Sequence, residues 1–206
     1  MYSDSQLTPE LLARIREAFD VWSEDHELFP KTVHPSVIHV QYILDQLGPI
    51  GSVQVLDVGC GKGRFAYVVK NLNPNADVWG LDISPKMLQY VAPCINTRHG
   101  SMTALPFDDH SFDFIYAIES LEHAVDVNLA VSEMCRVLRP GGKLVIIDKN
   151  AAHWGAMSVA PWEQWFNRNE LQGILARYCR HTASQYISYW PNTPPSGLFV
   201  AWTAQK

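Results

Sequence analysis

Apolar positions in the first fifty residues recur at helical spacing. Leu11, Leu12, Ile15, Ala18, Phe19 and Trp22 share one face of a helix that Thr8 caps and Pro9 and Glu10 open. Val37, Ile38, Ile43 and Leu44 place a second helix between Pro35 and Leu47. From residue 53 the pattern changes to short apolar runs bounded by turn residues. These predict strands at Val53 to Val58, Asp77 to Asp82, Ile95 to His99, Phe112 to Ile118 and Lys143 to Asp148. Helical stretches alternate with them at Arg64 to Leu72, Pro85 to Val91 and Asp126 to Leu138, the last burying Leu129, Val131, Met134, Cys135 and Leu138.

Strand and helix in regular alternation specify an α/β fold, a mostly parallel sheet with helices on both faces. After residue 148 the rhythm alters to a loop with Trp154, a helix from about Trp162 to Tyr178, and two β-like runs at Ala183 to Tyr189 and Leu198 to Thr203. So short a connection as the one holding Pro191, Pro194 and Pro195 admits only an antiparallel pair, so the sheet is expected to finish in a C-terminal hairpin.

Composition narrows the class. A chain of 206 residues with 47% hydrophobic and 18% charged residues reads as one globular domain, residues 1–206, and not as a disordered or low-complexity polymer. No apolar run reaches the length of a membrane span, and the amino-terminal stretch lacks a basic region followed by an apolar one, so a cytoplasmic protein is expected. With a net charge of −5 and scattered basic residues, no stripe fits a nucleic-acid backbone. Cys60, Cys94, Cys135 and Cys179 have no metal-ligand spacing, and no metal site is expected of them.

The chemistry is carried by Val55-Leu-Asp-Val-Gly-Cys-Gly-Lys-Gly-Arg-Phe-Ala66, a strand running into a glycine-rich turn and a helix. Gly59, Gly61 and Gly63 let the backbone turn sharply and approach a ligand closely, and the helix that follows offers free N–H groups. The turn alone also satisfies a dinucleotide fingerprint through Gly61, Gly63 and Ala66. Asp57, two residues before Gly59, is poorly placed beside a pyrophosphate and suits a cation. Asp82 ends the next strand, where its two oxygens can accept from the hydroxyls of a ribose. Ala104-Leu-Pro-Phe107 and Arg136-Val-Leu-Arg-Pro-Gly-Gly-Lys143 complete the series.

With these motifs in order, residues 53 to 148 resemble the class I S-adenosylmethionine-dependent methyltransferases, specifically the small-molecule group typed by the ubiquinone and menaquinone methyltransferases. The resemblance implies a Rossmann-like seven-stranded sheet with its last strand antiparallel, and S-adenosylmethionine as cofactor. It places the methionine moiety against Asp57, Gly59, Cys60, Gly61 and Gly63, with Glu119 at the end of the fourth strand, the ribose on Asp82, and the adenine under Ile83. Where relatives usually read Gly-Asp, this chain has Gly100-Ser101-Met102, so the adenine contact falls to Ser101 and Met102. Residues 1–50 would then form a lid, 51–150 the cofactor core, and 151–206 the acceptor side.

A sulfonium methyl is already activated, so alignment in a dry pocket is the main task, and a base is needed only if the acceptor holds its proton at neutral pH. His123, in the loop after the fourth strand, is the expected base. The resemblance to sugar O-methyltransferases pairs it with Asp148. His153 and Trp154, after the fifth strand, are expected against the acceptor. A small molecule is implied, with sugar hydroxyl, quinone ring, amine and carboxylate all open, and oligomeric state equally so. The competing functions are a nicotinamide-dependent reductase, against which Asp57 and the missing Tyr-x-x-x-Lys pair argue, and a binding module that kept the fold without catalysis.

Overall fold

A computed structural model describes residues 9–48 and 51–206. The expected cap at Thr8 lies outside them. Seven strands form one sheet: β1 (Gln54–Val58), β2 (Asp77–Asp82), β3 (Asn96–His99), β4 (Phe112–Ile118), β5 (Leu138–Lys149), β6 (Arg180–Ile187) and β7 (Phe199–Gln205). Their order is β3-β2-β1-β4-β5-β7-β6. Pairs from β3 to β5 are parallel, while β7 runs antiparallel between β5 and β6. The order reverses at β1, which opens a crevice at the carboxyl ends of β1 and β4.

The helices are α1 (Pro9–Trp22), α2 (Ile38–Leu47), α3 (Arg64–Leu72), α4 (Pro85–Leu88), α5 (Val127–Val137) and α6 (Arg168–Leu175). Two cores flank the sheet. On one face Ala130, Val131, Met134 and Leu175 pack on Leu56, Ile115, Leu144 and Trp202. On the other, Val40, Ile43, Phe65 and Val69 pack on Val55, Tyr116, Val145 and Ala201. Covered on both sides, β1 and β4 are almost wholly buried, which is why they read as continuous apolar runs.

Several boundaries move. The fifth strand begins at Leu138, because Leu138 pairs with Phe112 across a bulge and Gly141 and Gly142 exchange backbone bonds with Lys206. The fourth helix stops at Leu88, three residues short of Val91. The sixth starts at Arg168: Asn167 caps it by accepting from the N–H groups of Asn169 and Glu170, and the preceding residues are extended, Phe166 bridging to Asn150. The final strands are displaced toward Arg180–Ile187 and Phe199–Gln205. Leu129 does not join the buried stripe of α5. It stands 38% exposed, and the inward face is Ala130, Val131, Met134, Cys135 and Val137. Cys60, Cys135 and Cys179 are buried free thiols, with Cys135 Sγ and Cys179 Sγ 2.9 Å apart, and Cys94 is exposed.

Candidate active site

The glycine turn is pinned to the neighbouring strand, the N–H groups of Gly59 and Cys60 donating to the Leu81 carbonyl at 2.8 and 3.0 Å. Gly59 has φ +75°, and a Cβ there would lie 2.5 Å from Ser120 Cβ. Only glycine allows the ends of β1 and β4 to approach so closely. Ser120 completes the join by donating to the Val58 carbonyl at 2.8 Å. Gly61, at φ +54°, meets nothing within 4 Å on its Cβ side, and that open space belongs to a cavity of about 550 Å³. Gly63, at φ +77°, opens α3 and faces Val91 instead of the cavity.

Asp82 lines the cavity, its Oδ2 accepting from the Gly61 N–H at 2.7 Å and its Oδ1 from the Ser84 N–H at 2.8 Å. Each oxygen keeps acceptor capacity for a second partner. Burial nonetheless pushes this carboxyl up to about 6, against the opposing backbone bonds. Asp57 lies one layer deeper, beneath the turn and not on the cavity wall. Its Oδ2 is buried without a hydrogen-bond partner, and burial raises it to about 7, with the Tyr116 phenol offsetting part of the rise and the Asp82 charge adding to it.

Ile83, Ser101 and Met102 stand on the wall beyond Asp82. Ser101 Oγ is engaged with Thr103, 2.8 Å from its hydroxyl, and accepts from its N–H. Cys60 also lines the cavity, though its Sγ mainly fills the space left by Gly80, where an added Cβ would meet it at 2.7 Å. Glu119, at φ +50°, reaches 3.5 Å from Arg64 Nη2 and 3.7 Å from Nδ1 of the wholly buried His39. Phe19, Trp22 and Phe29 roof the cavity, joined in edge-on and stacked contacts that also reach His123 and Trp162.

At the far end the 121–123 turn after β4 faces the end of β5. Sequence reasoning passed over two residues here, Lys149 and Glu163. The signal for Lys149 was a basic residue closing the apolar run of β5 at the sheet's active edge. Glu163 sits in a stretch read as helix, so its direction had no sequence signal. Lys149 Nζ donates to Glu122 Oε1 and lies 3.9 Å from Glu163 Oε1. Glu163 is fixed by the Trp165 indole N–H at 2.7 Å and the Ala160 N–H at 3.0 Å. Burial, with Asp148 beside it, pushes Glu122 upward, and its Oε2 has no partner. Burial opposes the charge on Lys149, but Glu122, Asp148 and Glu119 outweigh it and hold the ammonium charged.

Two expectations are corrected here. Asp148 does not bond to His123. Its wholly buried carboxylate accepts from the backbone N–H groups of Glu122 and Lys149 at 3.0 and 2.8 Å, and so shapes the turn that carries Glu122. His123 Nδ1 accepts from the Trp162 indole N–H at 3.3 Å, so the neutral ring carries its proton on Nε2, 3.5 Å from Glu122 Oε1. Burial lowers His123 to about 4 and keeps that ring neutral. The second correction is that the expected acceptor residues His153 and Trp154 do not line the cavity. Trp154 is half exposed and packs edge-on against Trp165, His153 abuts Gly197, and the loop meets the cavity instead through Met157 to Pro161. Glu122, His123 and Glu163 bring ligand-type atoms within 4.8 Å of one another, but Nε2 there holds a proton and Lys149 already stands between the acids.

Residues 56–146 match the family profile described as a methyltransferase domain. Residues 56–146 thus carry a methyltransferase domain. An O-methyltransferase of Penicillium expansum is 35% identical to this methyltransferase domain over 117 residues, covering 52% of the chain and 42% of that protein. The demethylmenaquinone methyltransferase of Staphylococcus aureus is 34% identical over 113 residues, covering 52% and 47%. The matched region thus spans less than half the length of these curated relatives. Among solved structures, geranyl diphosphate C-methyltransferase of Streptomyces coelicolor, in complex with S-adenosyl-L-homocysteine, superposes with a TM-score of 0.72 at 15% identity, covering 97% of this chain and 98% of that one. The cyclase SpnF superposes at 0.77 with 17% identity, covering 95% and 96%. At such identities the likeness speaks for the fold of the methyltransferase domain and leaves the chemistry to its site. No helix among the described residues is long and apolar enough to cross a membrane.

Proposed function

We propose that this protein transfers the methyl group of S-adenosylmethionine to a small-molecule acceptor. One observation carries the reading: a single cavity of about 550 Å³ runs from the glycine turn and Asp82 to His123, Glu122 and Lys149, so that cofactor and acceptor have adjoining places under one aromatic roof. The residues fit the cofactor, because the Cβ space at Gly61 is open and the remaining lone pairs of Asp82 point the site toward a diol. Gly59 and Gly61 would border the methionine moiety, Asp82 would accept from the ribose hydroxyls, and Ile83 and Met102 would flank the adenine. Asp57, beneath the turn, would add negative potential below a cationic centre once ionised. When bound, the cofactor supplies a methyl carbon already activated by its sulfonium charge. The chain's own work is to align the acceptor and exclude water, which Phe19, Trp22 and Phe29 do from above.

The finer form of this reading is a hydroxyl acceptor whose proton goes to His123. Its neutral ring supports it, and it requires the hydroxyl to displace the Trp162 N–H from Nδ1, because the other nitrogen is protonated. Cofactor binding is tested by thermal melts with S-adenosylmethionine, S-adenosylhomocysteine and NADH. The first two are expected to stabilise the fold, by about 2.7 kcal/mol at a hundredfold excess over Kd, and NADH is not. Stabilisation by NADH alone would overturn the assignment.

A further inference from the structure

Two thiols that the methyl-transfer site does not use stand against each other in the core. Cys135, on the inward face of α5, and Cys179, between α6 and β6, bring their Sγ atoms to 2.9 Å, although they lie 44 residues apart in the chain. Even carbon atoms pack at about 3.5 to 4.0 Å, so two larger sulfurs at this separation are closer than packing alone requires. Both sides are anchored. The carbonyls of Cys135, Arg136 and Leu138 accept from Lys206 Nζ at 2.6, 3.3 and 2.9 Å, which clamps the end of α5. The Cys179 N–H donates to the Leu175 carbonyl at 2.9 Å, and Arg177 Nη1 donates to Asn128 Oδ1 at 3.0 Å, which ties the end of α6 back to the start of α5. Both sulfurs belong to the cluster that holds Val131, Leu171 and Leu175. The hydrogen bond with Cys135 holds the Cys179 thiol below its usual range against burial, and the Lys206 charge acts in the same direction.

We infer that Cys135 and Cys179 are a site of disulfide modification, a bond that joins α5 to the α6–β6 junction when the folding chain meets a low-molecular-weight disulfide such as oxidised glutathione. The Cys179 thiolate attacks one sulfur of the reagent and expels its other half as a thiolate. Cys135 then gives up its proton and attacks the Cys179 sulfur, expelling the second half. Two protein thiols are oxidised, one reagent disulfide is reduced, and the two cysteine protons end on the two glutathione thiols. The exchange belongs to folding, before the core closes over the sulfurs, because the mixed disulfide needs room that the finished core lacks. The finished bond needs none, since joining the sulfurs shortens their separation by less than about one ångström. The loop so closed contains β5 and, with it, Lys149 and the Met157 to Pro161 stretch of the cavity wall. Both ends of the segment that builds the inner chamber are thereby tied to each other.

The test is to unfold the full chain in denaturant, refold it in glutathione buffers graded from reduced to oxidised, map the cysteines of each sample by mass spectrometry after alkylation, and take its melting temperature. A peptide linking Cys135 to Cys179 is expected to appear as the buffer turns oxidising. With it the melting temperature should rise by roughly 5 to 15 °C over the reduced chain, the gain usual for a disulfide in a protein of this size. Cys135→Ser and Cys179→Ser keep the exposed Cys94 and any glutathione it takes up, and they are expected to show no such rise. Glutathione held singly at Cys135 or Cys179, pairing of either with Cys60 or Cys94, no linked peptide in the most oxidising buffer, or a linked chain that melts no higher than the reduced one would each overturn the proposal. If neither serine variant folds, the linked peptide and the melting shift of the wild type decide alone.

Discussion

Asp57→Asn should make the protein more stable and its cofactor site worse. The carboxyl of Asp57 is buried beneath the glycine turn with one oxygen unpartnered, and burial raises it from 3.8 to about 7. At about 1.4 kcal/mol for each pH unit, that displacement amounts to at most roughly 4 kcal/mol of destabilisation once the group is ionised. Because the folded value lies above the unfolded one, the penalty is absent below about pH 4, grows as pH rises toward 7, and is complete beyond it. The amide of asparagine must also be buried, at a cost of about 1 to 2 kcal/mol, so the net gain at pH 8 is about 1 to 3 kcal/mol. Urea denaturation of both proteins at pH 8 and pH 5 measures it, and the difference should fall by about half or more at the lower pH. An Asp57→Asn protein no more stable than wild type at pH 8, or a difference independent of pH, would refute the reasoning. Loss of affinity for S-adenosylmethionine alongside the gain would identify the acid as a functional residue held at the expense of stability.

Asp82→Ala removes the acceptor of two backbone N–H groups as well as the ribose contact, but it also relieves the burial of a carboxyl raised to about 6, so the two effects should largely offset, leaving stability in denaturant within about 2 kcal/mol of wild type while the cofactor-induced thermal shift is abolished. Gly59→Ala, whose Cβ would meet Ser120 at 2.5 Å, should be destabilised by about 1 to 3 kcal/mol, and Ser120→Gly in the same chain should recover part of that loss in a double-mutant cycle. If a hydroxyl is the true acceptor, Trp162→Phe, by freeing Nδ1, should leave or raise kcat while His123→Ala lowers it about 10² to 10⁴-fold. Equal losses in both would make the pair structural. A thiol reagent added to the native chain should react quickly at Cys94 and reach Cys60, Cys135 and Cys179 only on unfolding, read by mass spectrometry of the modified peptides.

The alternation of buried runs and helical stretches made β1, β2 and β4 legible from their own residues, because a strand covered on both faces has no choice but a continuous apolar run. The cofactor end was readable for a related reason: glycine is favoured where the turn goes left-handed and required where it meets Ser120, and such preferences show in the sequence itself. Boundaries set by tertiary contacts were not. The extension of β5 back to Leu138 depends on pairing with Phe112 and Lys206, partners far away along the chain. The start of α6 was readable and overlooked, since Asn167 followed by Glu170 is a helix-opening signal. At the acceptor end, the direction of each side chain depends on loop packing: Trp165 holds Glu163 inward while Trp154 is carried out toward solvent. Hence His153 and Trp154 were named and Lys149 and Glu163 were not.

The interlock of Gly59 with Ser120 divides the molecule into parts that are free to diversify and a part that is not. A side chain at position 59 collides with that of Ser120, so a viable change at 59 demands a matching change at its partner, and single steps through sequence space are closed there. The Met157 to Pro161 stretch also meets the inner chamber, whereas the 121–123 turn beside it is itself tied to Asp148, Lys149 and Trp162. Lineages sharing this architecture are therefore expected to keep the paired small residues fixed while the 157–161 stretch drifts, and a designer seeking a new substrate should randomise that stretch and leave positions 59 and 120 alone.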